Sequence, residues 1–87
     1  MLLPIPNDQS LPVIRLTIVF NAVQVGDSLR ARYVIRDNGS DFRTLQYIVY
    51  NEDQRESVRA HVNAEAMRRM RYYCSLGYAV EPWSIPS

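Results

Sequence analysis

NEDQRESVRAHVNAEAMRRMRYYCSLG, residues 51–77, is the stretch on which the fold turns. No glycine or proline interrupts it before its last residue, and it predicts one long helix. Asn51 offers a side-chain oxygen as N-cap, and Gln54 follows at capping-box spacing. Glu52, Asp53 and Glu56 place acid in the first turns, where the helix dipole is positive. Arg68, Arg69 and Arg71 place base near the other end. Gly77 is the expected C′ residue, because left-handed backbone strains any residue with a Cβ. Tyr78 then falls at C″ and is placed to pack on Tyr73.

On a helical wheel, Ser57, His61, Glu65, Arg68, Tyr72 and Ser75 form a polar stripe. Val58, Val62, Ala66, Met70, Tyr73 and Leu76 flank it on one side, and Ala60, Ala64, Met67 and Cys74 on the other. The apolar arc covers about half the circumference, against the roughly 100° that packing on one sheet requires. Arg55, Arg59, Asn63 and Arg69 interrupt it. The surplus calls for a second contact: the N-terminal arm, the C-terminal tail or another subunit, which makes a homodimer one expectation.

Three strands are expected ahead of the helix. In 13–20, Ile14, Leu16, Ile18 and Phe20 alternate with Arg15, Thr17 and Val19, the strand period of two. Residues 21–27 either extend this strand or form a loose loop ending at Gly26-Asp27. In 28–36, Leu29, Ala31, Tyr33 and Ile35 share one face; Arg30, Arg32, Val34 and Arg36 share the other. Asn38-Gly39 is a strong hairpin signal, since a type I′ turn needs positive φ at both central positions. The third strand is 41–50. A two-residue loop sets Ile35 opposite Phe42, Tyr33 opposite Thr44 and Leu29 opposite Ile48 on the core side. On the other side Arg36 meets Asp41, Val34 meets Arg43, Arg32 meets Leu45 and Arg30 meets Tyr47. A bulge would swap the faces of the third strand.

The remaining segments carry less pattern. Residues 1–12 hold prolines at 4, 6 and 12 and read as an irregular arm with apolar Leu2, Leu3 and Ile5. Residues 78–83 form at best a short edge strand, because of Pro82, and 84–87 are expected to fray. The expected architecture is therefore a single α+β domain over residues 1–87. A three-stranded antiparallel sheet packs against one long helix in the order β-β-β-α, with room for a short fourth edge strand.

Eighty-seven residues support one modest core. The net charge of +1 argues against a general polyanion binder. All ten basic residues are arginine, the side chain suited to planar, bidentate contacts. One cysteine, Cys74, allows no internal disulfide and points to the cytoplasm; its wheel position assigns it to the core. The N-terminus lacks the basic and apolar regions of a signal peptide, and no apolar run reaches membrane-spanning length.

No motif for catalysis, metal or cofactor binding is found. One cysteine and one histidine cannot build a zinc cluster. Glu52, Asp53 and Glu56 are explained as first-turn acids. His61, with Glu65 one turn on, reads as a solvated pair rather than a catalytic base. Each of the three glycines is accounted for by a turn or a cap, not by a phosphate loop.

One feature remains. Arg30, Arg32, Arg36 and Arg43 are expected on one sheet face with Tyr47 and Leu45, joined by Arg15 if the first strand pairs beside the second. A purely solvated outer face is the plain alternative. The functional reading is non-catalytic binding of a protein partner with an acidic surface. The alternative is binding of RNA, single-stranded DNA or a small anionic nucleotide, with Tyr47 stacking on a base. By size and style alone, and by no residue motif, the chain is comparable with phage-type inhibitors of host machinery, anti-CRISPR proteins among them.

Overall fold

The computed structural model describes residues 13–86. The expected N-terminal arm lies outside them. The described residues form β1 (Val13–Val25), β2 (Ser28–Asp37), β3 (Ser40–Val49), α1 (Glu52–Ser75) and β4 (Ala79–Glu81). The sheet order is β3-β2-β1-β4; β2 is antiparallel to both β1 and β3, and β4 is parallel to β1. This is the expected α+β arrangement of three antiparallel strands, one long helix and a short fourth strand. The helix carries the chain from one edge of the sheet to the other.

Turn chemistry sets the two hairpins. Residues 21–25 extend β1, and Val25 pairs with Ser28 around Gly26-Asp27. Gly26 has φ +59 while Asp27 is not among the positive-φ residues, as in a type II′ turn. Asn38 (φ 51) and Gly39 (φ 87) both take positive φ, as a type I′ turn requires. Asn38 also ties the turn to β1: its backbone N–H donates to Arg15 O at 2.9 Å. In return, its Oδ1 accepts from Arg15 N at 2.8 Å.

The helix is capped as its sequence indicates. Asn51 is extended, and its side chain accepts from Gln54 N at 2.9 Å. The Gln54 side chain reaches back one residue further than a standard capping box, accepting from Tyr50 N at 2.8 Å. At the other end Gly77 N donates to Cys74 O and Tyr78 N to Tyr73 O, the two bonds of a Schellman motif. Gly77 has φ +91, and Tyr78 packs edge-on against Tyr73.

The hairpin register differs from the expected one. Arg36 does meet Asp41, but Ile35 meets Arg43, Tyr33 meets Leu45 and Leu29 meets Val49. A β-bulge between these pairs leaves Phe42 as the extra residue. From Arg43 onward every β3 side chain therefore lies on the face opposite to the expected one. The reason is burial. The bulged register sends Leu45, Tyr47 and Val49 inward and leaves Thr44, Gln46 and Ile48 outside, so two polar side chains avoid the core.

The core is one layer between sheet and helix. Ile18 of β1, Ala31, Tyr33 and Ile35 of β2, Leu45 and Val49 of β3, and Val62 and Ala66 of α1 form it. Tyr33, Leu16, Ile35 and Val62 are fully buried, each contributing about 1.5–3 kcal/mol by burial.

The helix is rolled relative to its wheel. Glu65, expected on the polar stripe, is 9% exposed, whereas Cys74, Ala60 and Ala64, expected toward the core, are exposed. Polar contacts on the inner side account for this. Arg69 donates to Asp37 at 2.9 and 2.7 Å. Arg59 donates to the carbonyls of Pro86 and Ile85 at 3.0 and 3.4 Å. Trp83 and Ile85 pack against the core, so the tail docks through residue 86 rather than fraying. It supplies the second contact that the helix's wide apolar arc called for.

Candidate binding face

The inner face of the sheet is covered by the helix. The outer face collects the exposed residues of the three long strands. On β1 these are Val13, Arg15, Thr17, Val19, Asn21, Val23 and Val25; on β2, Arg30, Arg32 and Arg36. Thr44, Gln46 and Ile48 complete the face on β3. Pairing of Thr17 with Arg36 and Val23 with Arg30 brings Arg15 onto the same face as the β2 arginines.

Arg43 and Tyr47 do not belong to this face. The bulge turns both toward the helix. Arg43 lies 3.3 Å from the carboxylate of Glu65. The Tyr47 hydroxyl bonds His61 Nδ1 at 2.7 Å, and its ring packs edge-on against Tyr33. Burial pushes the Tyr47 phenol above its ordinary 10.0, and the charge of Glu65 pushes the same way. Glu65 gathers Arg43, Arg68 at 3.6 Å and His61 at 3.7 Å, a cluster that seats the helix on β3.

The four arginines left outside divide into two pairs. Arg15 is held by Glu81 of the neighbouring strand at 2.9 Å, a contact that raises its guanidinium pKa. Arg36 is held by its cross-strand neighbour Asp41 at 3.0 Å. Arg30 and Arg32 are exposed and have no carboxylate partner among the described residues. They border a hollow of about 340 Å³ with Ala31, Gln46, Tyr47 and Ile48. Ile48 is 56% exposed and Val23, across from Arg30, 57%.

Arg30 and Arg32 therefore stand as two free forks beside exposed aliphatic side chains. Two guanidiniums two residues apart on a strand point the same way, and each can grip a carboxylate by paired hydrogen bonds. No aromatic residue occupies the outer face of β1, β2 or β3, so a base would find no stacking platform there.

A polar cluster around Asp37 and Arg69, not marked by the sequence pattern, lies at the far end of the helix. Asp37 accepts from Arg69 and from the Tyr73 hydroxyl, and the Arg69 guanidinium stacks 4.2 Å from the Phe42 ring centroid. The hydrogen bond to Asp37 raises the Tyr73 phenol, with burial adding. Burial lowers the Arg69 pKa, but the hydrogen bond to Asp37 and the contacts with Tyr73 and the Asp37 charge together raise it above its ordinary value. Every charged group here is matched, which marks the cluster as a lock between helix and hairpin. Among the described residues no group of side chains is placed to hold a metal ion, and no helix is long and apolar enough to cross a membrane. Comparison with protein families, curated proteins and solved structures found no match.

Proposed function

We propose that this chain is a non-catalytic protein-binding protein whose outer sheet face holds an acidic, partly apolar surface of its partner. The observation that carries this reading is the contrast among the arginines. Among the arginines of the sheet, Arg15, Arg36 and Arg43 each meet a carboxylate within the chain. Arg30 and Arg32 do not among the described residues, and they flank a hollow bordered by the exposed side chain of Ile48. Charged forks around an apolar centre match the usual anatomy of an interface. A face of this kind suits an inhibitor or adaptor that works by occupancy. The absence of an aromatic platform and the net charge of +1 favour a protein over a nucleic acid.

The test is the charge-reversed double variant Arg30→Glu/Arg32→Glu. Both sites are exposed, so its thermal melt should stay close to that of the parent. Affinity-tagged parent and variant are used to capture partners from nuclease-treated lysate, with identification by mass spectrometry. The parent should retain a protein that the variant loses, equivalent to about 2 kcal/mol or more. Equal capture by a folded variant would show the face to be merely solvated. Capture that depends on intact nucleic acid would favour the other partner class.

A further inference from the structure

The two edges of the sheet are finished differently. β4 is only three residues long and is followed directly by Pro82, two devices that prevent further strand pairing. β3, at the other edge, is ten residues long. Its hairpin end is blunted by the Phe42 bulge and by the inward-facing charge of Arg43. Residues 44–49, Thr-Leu-Gln-Tyr-Ile-Val, have no charge, proline or bulge, and no strand pairs with their outer edge among the described residues.

Hollows lie on both sides of this bare stretch. The hollow on the outer face is bordered by Arg30, Arg32, Gln46 and Ile48. Another, of about 370 Å³, lies on the helix side between Tyr47 and Ile48 of β3 and Asp53, Gln54, Ser57 and Val58 of α1. A strand laid along β3 would point alternate side chains to opposite faces. One row would face the free arginines, which lie one strand further in, roughly 10 Å away, within the combined reach of an arginine and a glutamate. The other row would face Tyr47 and Val58.

We infer that residues 44–49 of β3 accept an extended segment of the partner protein as a fifth strand, one whose side chains alternate between acidic and aliphatic. This rests on the proposed acidic partner and specifies its form. Charge complementarity selects this occupant over a second copy of the chain. Two β3 edges brought together would leave Arg30 and Arg32 of both copies without carboxylates.

The probe is a capped eight-residue peptide alternating valine and glutamate, with a valine–lysine peptide of the same length as control. Binding is followed by NMR titration of the ¹⁵N-labelled protein and by amide exchange. The valine–glutamate peptide should bind at least about tenfold more tightly than the control, and Arg30→Glu/Arg32→Glu should remove that preference. Amide exchange should slow at alternate residues within 44–49. Shifts at Arg30 and Arg32 without slowed exchange in β3 would overturn strand addition while leaving the arginine face standing. Slowed exchange with both peptides, insensitive to charge reversal, would overturn the acidic specificity. Protection of 44–49 that grows with protein concentration and no peptide would assign the edge to a second copy. No binding of either peptide would reject the proposal outright.

Discussion

Asp37 is the residue on which the helix end and the hairpin both depend. Its side chain is 10% exposed and that of Arg69 25%, so their contact is only weakly screened. Asp37→Ala would leave the Arg69 guanidinium without its carboxylate and should cost about 2–4 kcal/mol in urea unfolding. Arg36→Ala, breaking an exposed pair with Asp41, should cost less than about 1 kcal/mol. The raised phenols of Tyr73 and Tyr47 give stability a pH signature. Each holds its proton more tightly in the folded chain than in the unfolded one. Their contribution is complete below the ordinary tyrosine value of 10.0 and is lost as pH rises through the folded values. Urea midpoints should therefore fall on the alkaline side of about pH 10, and less steeply in Tyr73→Phe.

At the scale of elements, local signals were legible and the pairing between elements only partly so. Asn51, Gln54 and Gly77 act through neighbours a few residues away, and the cap and the Schellman motif follow directly from them. Asn38-Gly39 likewise announces its turn. Gly77→Val should cost about 1–3 kcal/mol from backbone conformation alone, since an added Cβ meets nothing within 4 Å. A thermal melt checks this. The Phe42 bulge is different, because no residue type marks it. The signal that it shifts the register was the polarity of Thr44 and Gln46, which the unbulged register would have buried. The roll of the helix was hidden for a similar reason. It is set by Asp37, the tail and Arg43, and a wheel contains none of these. Leu45→Asp should destabilise by about 3 kcal/mol or more, while Gln46→Asp should stay within about 0.5 kcal/mol.

Among the described residues, one sheet face is covered by the helix and the other, apart from the buried Val34 at its centre, is open. The tail completes the covered side. Trp83 donates to Asn63 at 3.1 Å and packs with Ile85 against the core. Trp83→Ala should cost about 2–3 kcal/mol, below the loss expected for a fully buried tryptophan. On the open side the register decides composition. With the bulge, Arg30 and Arg32 neighbour Ile48 and Gln46; without it they would neighbour Tyr47 and Leu45. The candidate site was thus half legible. Arg15, Arg30, Arg32 and Arg36 follow from alternation along β1 and β2, while Arg43 and Tyr47 were misplaced with β3. The most direct measurement is therefore the cross-strand NOE pattern of the β2–β3 hairpin. The account predicts backbone contacts of Tyr33 with Leu45 and of Arg32 with Gln46. Contacts of Tyr33 with Thr44 and of Arg32 with Leu45 would contradict it, returning Tyr47 and Arg43 to the arginine face.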